Sequence, residues 1–379
     1  MRWYAAVLAI VVLLAFGGVR LAYARGELTH VSGASAAAPA PIATGSTDDA
    51  LQQRWHSSDQ PAGGNPYADG IVVTYDKHTV NGRDATTGVV RWHYSRSDET
   101  VCSVLQQDAS TIAIYNRQGN CDEATGFATA TGAAKWYRTL TDEGLTSTAS
   151  GPNVVLTVAT HSVHVFDNAG GLDRWNWSAP DNCSVDRALA GGQGVLIAMT
   201  CGSVHQLVLR DLTNDSQKWS ITVKDPMAPI AAGAFVGALD LVTGDLRRYT
   251  ADKGSDSRTA QLLAPDAVSG ALAHLPRAAT TVDTTDPSGQ PVEFVWLDSL
   301  VALSATGTVR WTTQASGPPW VVGTDFVAAA QGGATLLHRL ADGTSQRRVS
   351  LSPIPSGAFR SYPVGTGLLL ASDETAMYQ

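Results

Sequence analysis

From Ile71 the sequence reads "IVVTY", "HTVNGRD", "ATTG" and "VVRWHYS". The first is a β-branched run of the kind that fills a strand buried on both faces. The second alternates more weakly and reads as its partner. The Thr-Gly pair supplies the positive φ that a tight hairpin needs. The last is an outer strand carrying a tryptophan. The same order returns in "TIAIYN", "GFATA", "TG", "AAKWYRTL", then in "NVVLTVAT", "SVHVFD", "NAGG", "LDRWNWS", and again in "GVLIAMT", "SVHQLVLRD", "LTND", "SQKWSITV". Counting the strand that follows each tryptophan segment, every unit predicts four strands.

The spacing from turn to tryptophan is constant. Gly88 leads to Trp92, Gly132 to Trp136, Gly171 to Trp175 and Gly307 to Trp311, while Asp215 replaces the glycine before Trp219. Gly244 and Gly343 keep the turn and put Arg248 and Arg347 in the tryptophan position. These positions lie 44, 39, 44, 29, 63 and 36 residues apart. A repeat near ~40 residues with four strands per unit predicts an all-β propeller. Seven positions give seven blades. An eighth comes from joining "LQQRWHSS" around Trp55, a tryptophan strand with no turn before it, to the C-terminal "GLLLASDETAMYQ". An eight-bladed ring closed by its N-terminal strand leaves no free sheet edge. Seven blades is the alternative, because the intervals of 29 and 63 residues are irregular. The span from Ala251 to Pro291 reads as a loop excursion and a candidate partner-facing element.

The N-terminus breaks the pattern. Trp3 to Val19 is 17 uncharged residues behind Arg2, nearly enough helix to cross a ~30 Å hydrocarbon core. Residues 1–25 therefore predict a retained signal anchor, one transmembrane helix. The alternative is a signal peptide cleaved after "AYA" at Ala22 to Ala24. Residues 26–50 are Ala/Pro/Ser-rich and read as a linker or stalk, and 51–379 as the folded propeller. With 36 glycines and only 16% charged residues, the composition suits many tight turns. The formal charge of −8 and the lack of a basic stripe exclude nucleic acid as an expected partner.

Cys102 and Cys121 are 19 residues apart, and Cys183 and Cys201 are 18 apart. Each pair occupies a comparable place in its unit: one Cys opens a strand after a tryptophan segment, the other lies near the next strand-to-strand turn. Paired strands bring such positions to one sheet edge, so two disulfides are expected, with four buried thiols as the alternative. Disulfides place the domain outside the cytoplasm. Other candidates carry less. His161 and His164, three apart in a strand, point to opposite faces. "DTTDPSG" from Asp283 lacks the oxygen pattern of a calcium loop. No nucleophile or phosphate-binding motif is present.

The recurring turn resembles the A-x-D-x-x-T-G-x-x-x-W pattern of quinoprotein-dehydrogenase-like propellers, with repeats named for pyrroloquinoline quinone. The tract from Arg83 to Leu140 is also similar to actinobacterial membrane-anchored propellers. The resemblance covers roughly Leu51 to Gln379. It implies that Trp55, Trp92, Trp136, Trp175, Trp219 and Trp311 dock one blade on the next. Two functions follow from it. Catalytic members bind pyrroloquinoline quinone with Ca²⁺ and oxidise alcohols or sugars, under an adjacent-cysteine disulfide that this sequence lacks. Other members, of the BamB type, are eight-bladed scaffolds without a cofactor. The expectation is the second: a membrane-anchored, extracytoplasmic, non-catalytic scaffold with no catalytic, cofactor or metal residues, whose partners are cell-envelope or membrane proteins.

Overall fold

The structure is a computed structural model of the 379-residue chain. It describes residues 31–42 and 48–379, apart from 118, 141–144, 264, 269–277, 280–281, 298, 317–318, 323–325, 332–333 and 356–358. The expected anchor at 1–25 lies outside the described residues. Among them, no helix is long and apolar enough to cross a membrane.

Seven mainly antiparallel sheets follow one another along the chain. The second is built from Thr100–Gln107, Ser110–Arg117, Asn120–Ala128 and Ala134–Thr139, and the third, fourth, fifth and sixth repeat that up-and-down order. The seventh has eight strands in two runs of four. Its first run spans Trp320–Val322 to Ser345–Ser352. Its second holds Arg360–Val364, Gly367–Ala371 and Thr375–Tyr378 with the N-terminal strand Ala50–Ser57. Gln53 pairs with Tyr378 and Ser57 with Thr375, while Leu51 pairs in parallel with Leu351. The N-terminal strand thus completes the C-terminal sheet.

Burial explains the order within each sheet. Second strands such as Ile71–Tyr75 and Val154–Ala159 are apolar at successive positions and buried almost throughout, as strands covered on both faces must be. Last strands alternate, as in Asp173–Ser178 and Gln217–Val223, with the tryptophan as the buried third residue. First strands of consecutive sheets approach one another, so they line the axis and the tryptophan strands form the rim. The apolar core clusters lie in seams between consecutive sheets, or, for the one holding Leu51, Val349 and Leu370, between the two runs of the seventh sheet. One joins the first and second through Val73, Trp92 and Phe127, and another joins the seventh to the first through Tyr362, Leu369 and Val72.

Three segments depart from the sequence expectation. Val31–Ala34, inside the expected stalk, pairs antiparallel with His93–Arg96 as an extra outermost strand on the first sheet. Gly63–Gly64 leaves the first sheet and pairs in parallel with Leu105 and Gln106 on the innermost strand of the second. The span from Ala251 to Pro291 is not simply a loop: Asp256–Gln261 is the last strand of the fifth sheet and Val282–Thr285 the first of the sixth. Between them, Ala278–Ala279 pairs in parallel with Ala188 and Leu189 on the innermost strand of the fourth sheet. Ala278–Ala279 therefore lies on the inner edge of the fourth sheet.

Candidate functional site

The tryptophans occupy one geometry. In a sheet's last strand, each indole projects past its own sheet onto the turn glycine of the next. A Cβ built on Gly132 would lie 2.5 Å from Trp92 Cγ, and one on Gly343 would lie 2.5 Å from Trp311 Cδ2. Gly88 meets Trp55, Gly171 meets Trp136 and Gly254 meets Trp219 in the same way. These turn glycines have φ between +65° and +73°, a left-handed backbone that glycine adopts without strain. At three of these turns the indole N–H reaches the carbonyl three residues before the glycine: Trp55 to Ala85 at 2.9 Å, Trp92 to Thr129 at 2.8 Å and Trp311 to Leu340 at 3.0 Å; the Trp136 and Trp219 N–H groups find no acceptor among the described residues. Trp175 reaches Asp211 and Leu212 at 3.1 and 3.3 Å, ahead of Asp215, which takes φ 60° in place of glycine.

One slot falls elsewhere than the sequence suggests. Arg248 lies in Asp245–Tyr249, the third strand of the fifth sheet, so the turn at Gly244 joins the second and third strands. The turn that matches the others is Gly254, and Arg258 stands in the tryptophan position. The irregular interval of 29 residues came from this shift; from Trp219 to Arg258 it is 39. Phe235 fills the missing indole's place, its ring edge 3.3 Å from a Cβ on Gly307.

Both cysteine pairs are bonded, Cys102 to Cys121 and Cys183 to Cys201. Their places differ. Cys183 and Cys201 face each other across the first and second strands of the fourth sheet. Cys102 sits on the first strand of the second sheet and Cys121 on the third, beside register shifts on either side of Tyr115. Spacing alone did not distinguish these arrangements, because the bulges that allow the second are set by packing.

Polar groups gather where the first and second sheets meet, on the face carrying the connections between sheets. Arg96 is buried and donates to Glu123 at 2.6 Å and to Glu99 at 2.5 Å. Burial works against the Arg96 charge, and the two carboxylates outweigh it, so its pKa rises. Alongside is an open cavity of about 320 Å³ lined by Asp59, Tyr75, Asp76, Lys77 and Val101. Burial pushes the Asp59 carboxyl up, and Arg83, Thr74 and Asn81 more than offset this and hold it below the usual range. Arg83 Nη2 lies 2.6 Å from Asp59 Oδ2. The acid is thus engaged by the chain itself. His161 and His164 do not converge: His161 Nδ1 is 2.9 Å from Cys183 O, while His164 contacts Asp173. Among the described residues, no group of three or more His, Cys, Asp or Glu is placed to hold a metal ion. Sequence reading missed the Arg96, Glu99 and Glu123 cluster. Charges separated by 27 residues in the chain leave no local pattern.

Consecutive antiparallel sheets around an axis, first strands inward and last strands outward, with the N-terminal strand completing the C-terminal sheet, define a β-propeller. No family model matches the chain, and no curated protein matches it either. Among solved structures it is similar to BamB from Moraxella catarrhalis, at 16% identity and a TM-score of 0.49, over 87% of this chain and 97% of that one. It is also similar to the computationally designed protein Ika8, at 12% identity and a TM-score of 0.58, over 87% of this chain and 99% of that one. The likeness to Ika8 concerns the fold alone.

Proposed function

We propose that the chain is an eight-bladed propeller held on the outer side of a membrane by its N-terminal apolar segment, where it serves as a non-catalytic scaffold binding other cell-envelope proteins. Eight blades follow when the two four-strand runs of the seventh sheet are taken separately. The observation that carries the scaffold reading is the occupied axis. Gly63–Gly64 and Ala278–Ala279 add strands to the inner edges of the second and fourth sheets. Tyr362 Oη and Arg360 Nη1 bind Gly64 O at 2.8 and 3.3 Å. Chain segments laid along the inner edges favour contact through the two broad faces and the rim. Two disulfides suit an oxidising compartment.

The test is affinity purification from membranes through a tag after Gln379, paired with an activity assay. The scaffold reading expects reproducible envelope partners and membrane retention after alkaline carbonate washing. A mature N-terminus at Arg25 would overturn the anchor. Stoichiometric quinone absorbance and alcohol- or sugar-dependent dye reduction, after adding pyrroloquinoline quinone and Ca²⁺, would overturn the non-catalytic reading.

A further inference from the structure

Residues 31–42 follow one continuous track over the ring. Val31–Ala34 pairs with His93–Arg96 on the outer edge of the first sheet. The Ala36 N–H donates to Thr131 O at 3.0 Å in the turn of the second sheet, and Ala37 O accepts from Arg91 Nη2 at 3.0 Å. Pro39 lies against Gly70, where a Cβ would be 2.9 Å from Pro39 Cγ. Ile42 then packs against the cluster that holds Val72, Ala85 and Leu369 in the seam between the seventh and first sheets.

Little of this depends on large side chains. Residues 33–35, 37, 38, 40 and 41 are exposed. The segment is held by backbone pairing, one proline and one aliphatic anchor. That is how sheet edges take up extended peptides: main-chain hydrogen bonds give affinity and pockets for single side chains give selectivity. The last strands of the second to sixth sheets have no such partner among the described residues, so the track belongs to the first sheet.

We propose that this track is a peptide-binding groove occupied in cis by residues 31–42, and that it accepts from a partner protein an extended uncharged segment of the same chemistry: a short strand of small residues, then a proline, then a large aliphatic residue. Gly70 fits the occupant because a side chain there would meet Pro39. The seam pocket fits it because its walls are apolar. An in-chain occupant sets the threshold a partner must pass, since apparent affinity is reduced by the fraction of grooves already filled. The proposal deepens the scaffold reading and rests on it for the partner's existence.

The experiment uses the full chain in detergent and a labelled peptide of residues 31–42, VSGASAAAPAPI, followed by fluorescence anisotropy. Ile42→Asp and Ala36→Pro each loosen the cis segment, the first at its anchor and the second by removing the N–H given to Thr131. The labelled peptide should bind each variant at least ~10-fold more tightly than the wild type, and a peptide with Asp in place of Ile42 should not compete. Amide exchange at His93 and Ser95, whose N–H groups alternate with that of Arg96 bonded to His78, should speed up in the variants and slow again with peptide. If Ile42→Asp unfolds the ring, Ala36→Pro carries the same test away from the core. Absence of binding by folded variants, or unchanged exchange at His93 and Ser95, overturns the groove. Envelope partners recovered by wild type without any peptide binding would refute the groove and leave the scaffold standing; peptide binding without partners would do the reverse.

Discussion

Three glycine-to-alanine substitutions separate the two demands made where a tryptophan meets the next blade. Gly132 has φ +71°, and a Cβ there would sit 2.5 Å from Trp92 Cγ and 2.6 Å from Cδ2. Gly289 has φ +79° with nothing within 4 Å of its Cβ position. Gly82, opposite Trp92 within the same sheet, has no positive φ, yet its Cβ would lie 2.0 Å from Trp92 Cε2. Gly289→Ala therefore carries backbone strain alone, about 1–2 kcal/mol. Gly82→Ala carries overpacking alone, about 1–3 kcal/mol. Gly132→Ala carries both, and moving the indole also endangers its buried N–H bond to Thr129, so about 3–5 kcal/mol is expected. Urea denaturation followed by circular dichroism and by tryptophan fluorescence ranks the three, provided the two signals coincide. Equal losses at Gly132 and Gly289 would refute the reasoning, since the indole contact would then add nothing. So would a Gly82→Ala protein as stable as wild type.

Further expectations concern single contacts. Trp311→Phe leaves Leu340 O without its donor, whereas the Trp219 N–H has no acceptor to lose; the first change should cost about 1 kcal/mol more than the second in the same denaturation assay. Asp286 accepts from Ser288 and Gln290 and from Arg310 Nη2 at 2.7 Å, and the Ser288 hydroxyl foremost among them, together with Arg310, holds its carboxyl well below the usual range despite burial. A depressed native pKa contributes stability that is complete above the unfolded value of about 3.9 and is lost as pH falls through the native one. Asp286→Asn should therefore flatten the acid limb of a stability–pH curve below about pH 4, and an unchanged limb would count against the contact. Replacing Cys183 and Cys201 by serine opens an 18-residue loop and should lower stability by about 3 kcal/mol through the freer unfolded chain, read as a lower urea midpoint under non-reducing conditions.

What the sequence disclosed depended on whether a structural demand falls on neighbouring residues. The turn-to-tryptophan spacing was legible because one glycine and one indole, four residues apart, meet equivalent partners in successive blades. The joining of the chain's two ends was legible for the same reason: Trp55 lies on a rim strand without its own hairpin, and that strand pairs with Thr375–Tyr378. Arg248 was misplaced because "VTGDLRR" satisfies the local turn rule equally well, and only strand pairing separates the turn at Gly244 from that at Gly254. The segment at 31–42 could not be read at all. Its order comes from backbone hydrogen bonds to a distant edge, and alanine, serine and proline advertise no burial. The inward turns of Gly63–Gly64 and Ala278–Ala279 were hidden likewise, since parallel pairing with another sheet's inner strand leaves no periodicity behind.

The closing strand also sets a timetable. Gln53 pairs with Tyr378, so nearly the whole chain must be synthesised before the ring can shut. In the export proposed above, with residues 1–25 retained in the membrane, the closing strand would cross first and wait on the far side while the blades emerge one after another. Until the last residues arrive, Gln53–Ser57 lacks its partner Thr375–Tyr378 on the outer side of the C-terminal sheet, and contacts so distant in sequence form slowly. Exposed edges are where such intermediates aggregate. Under that proposal, demand for a holding chaperone should peak just before release of the C-terminus; truncation by a single strand at that end should in any case harm yield far more than the loss of four residues suggests.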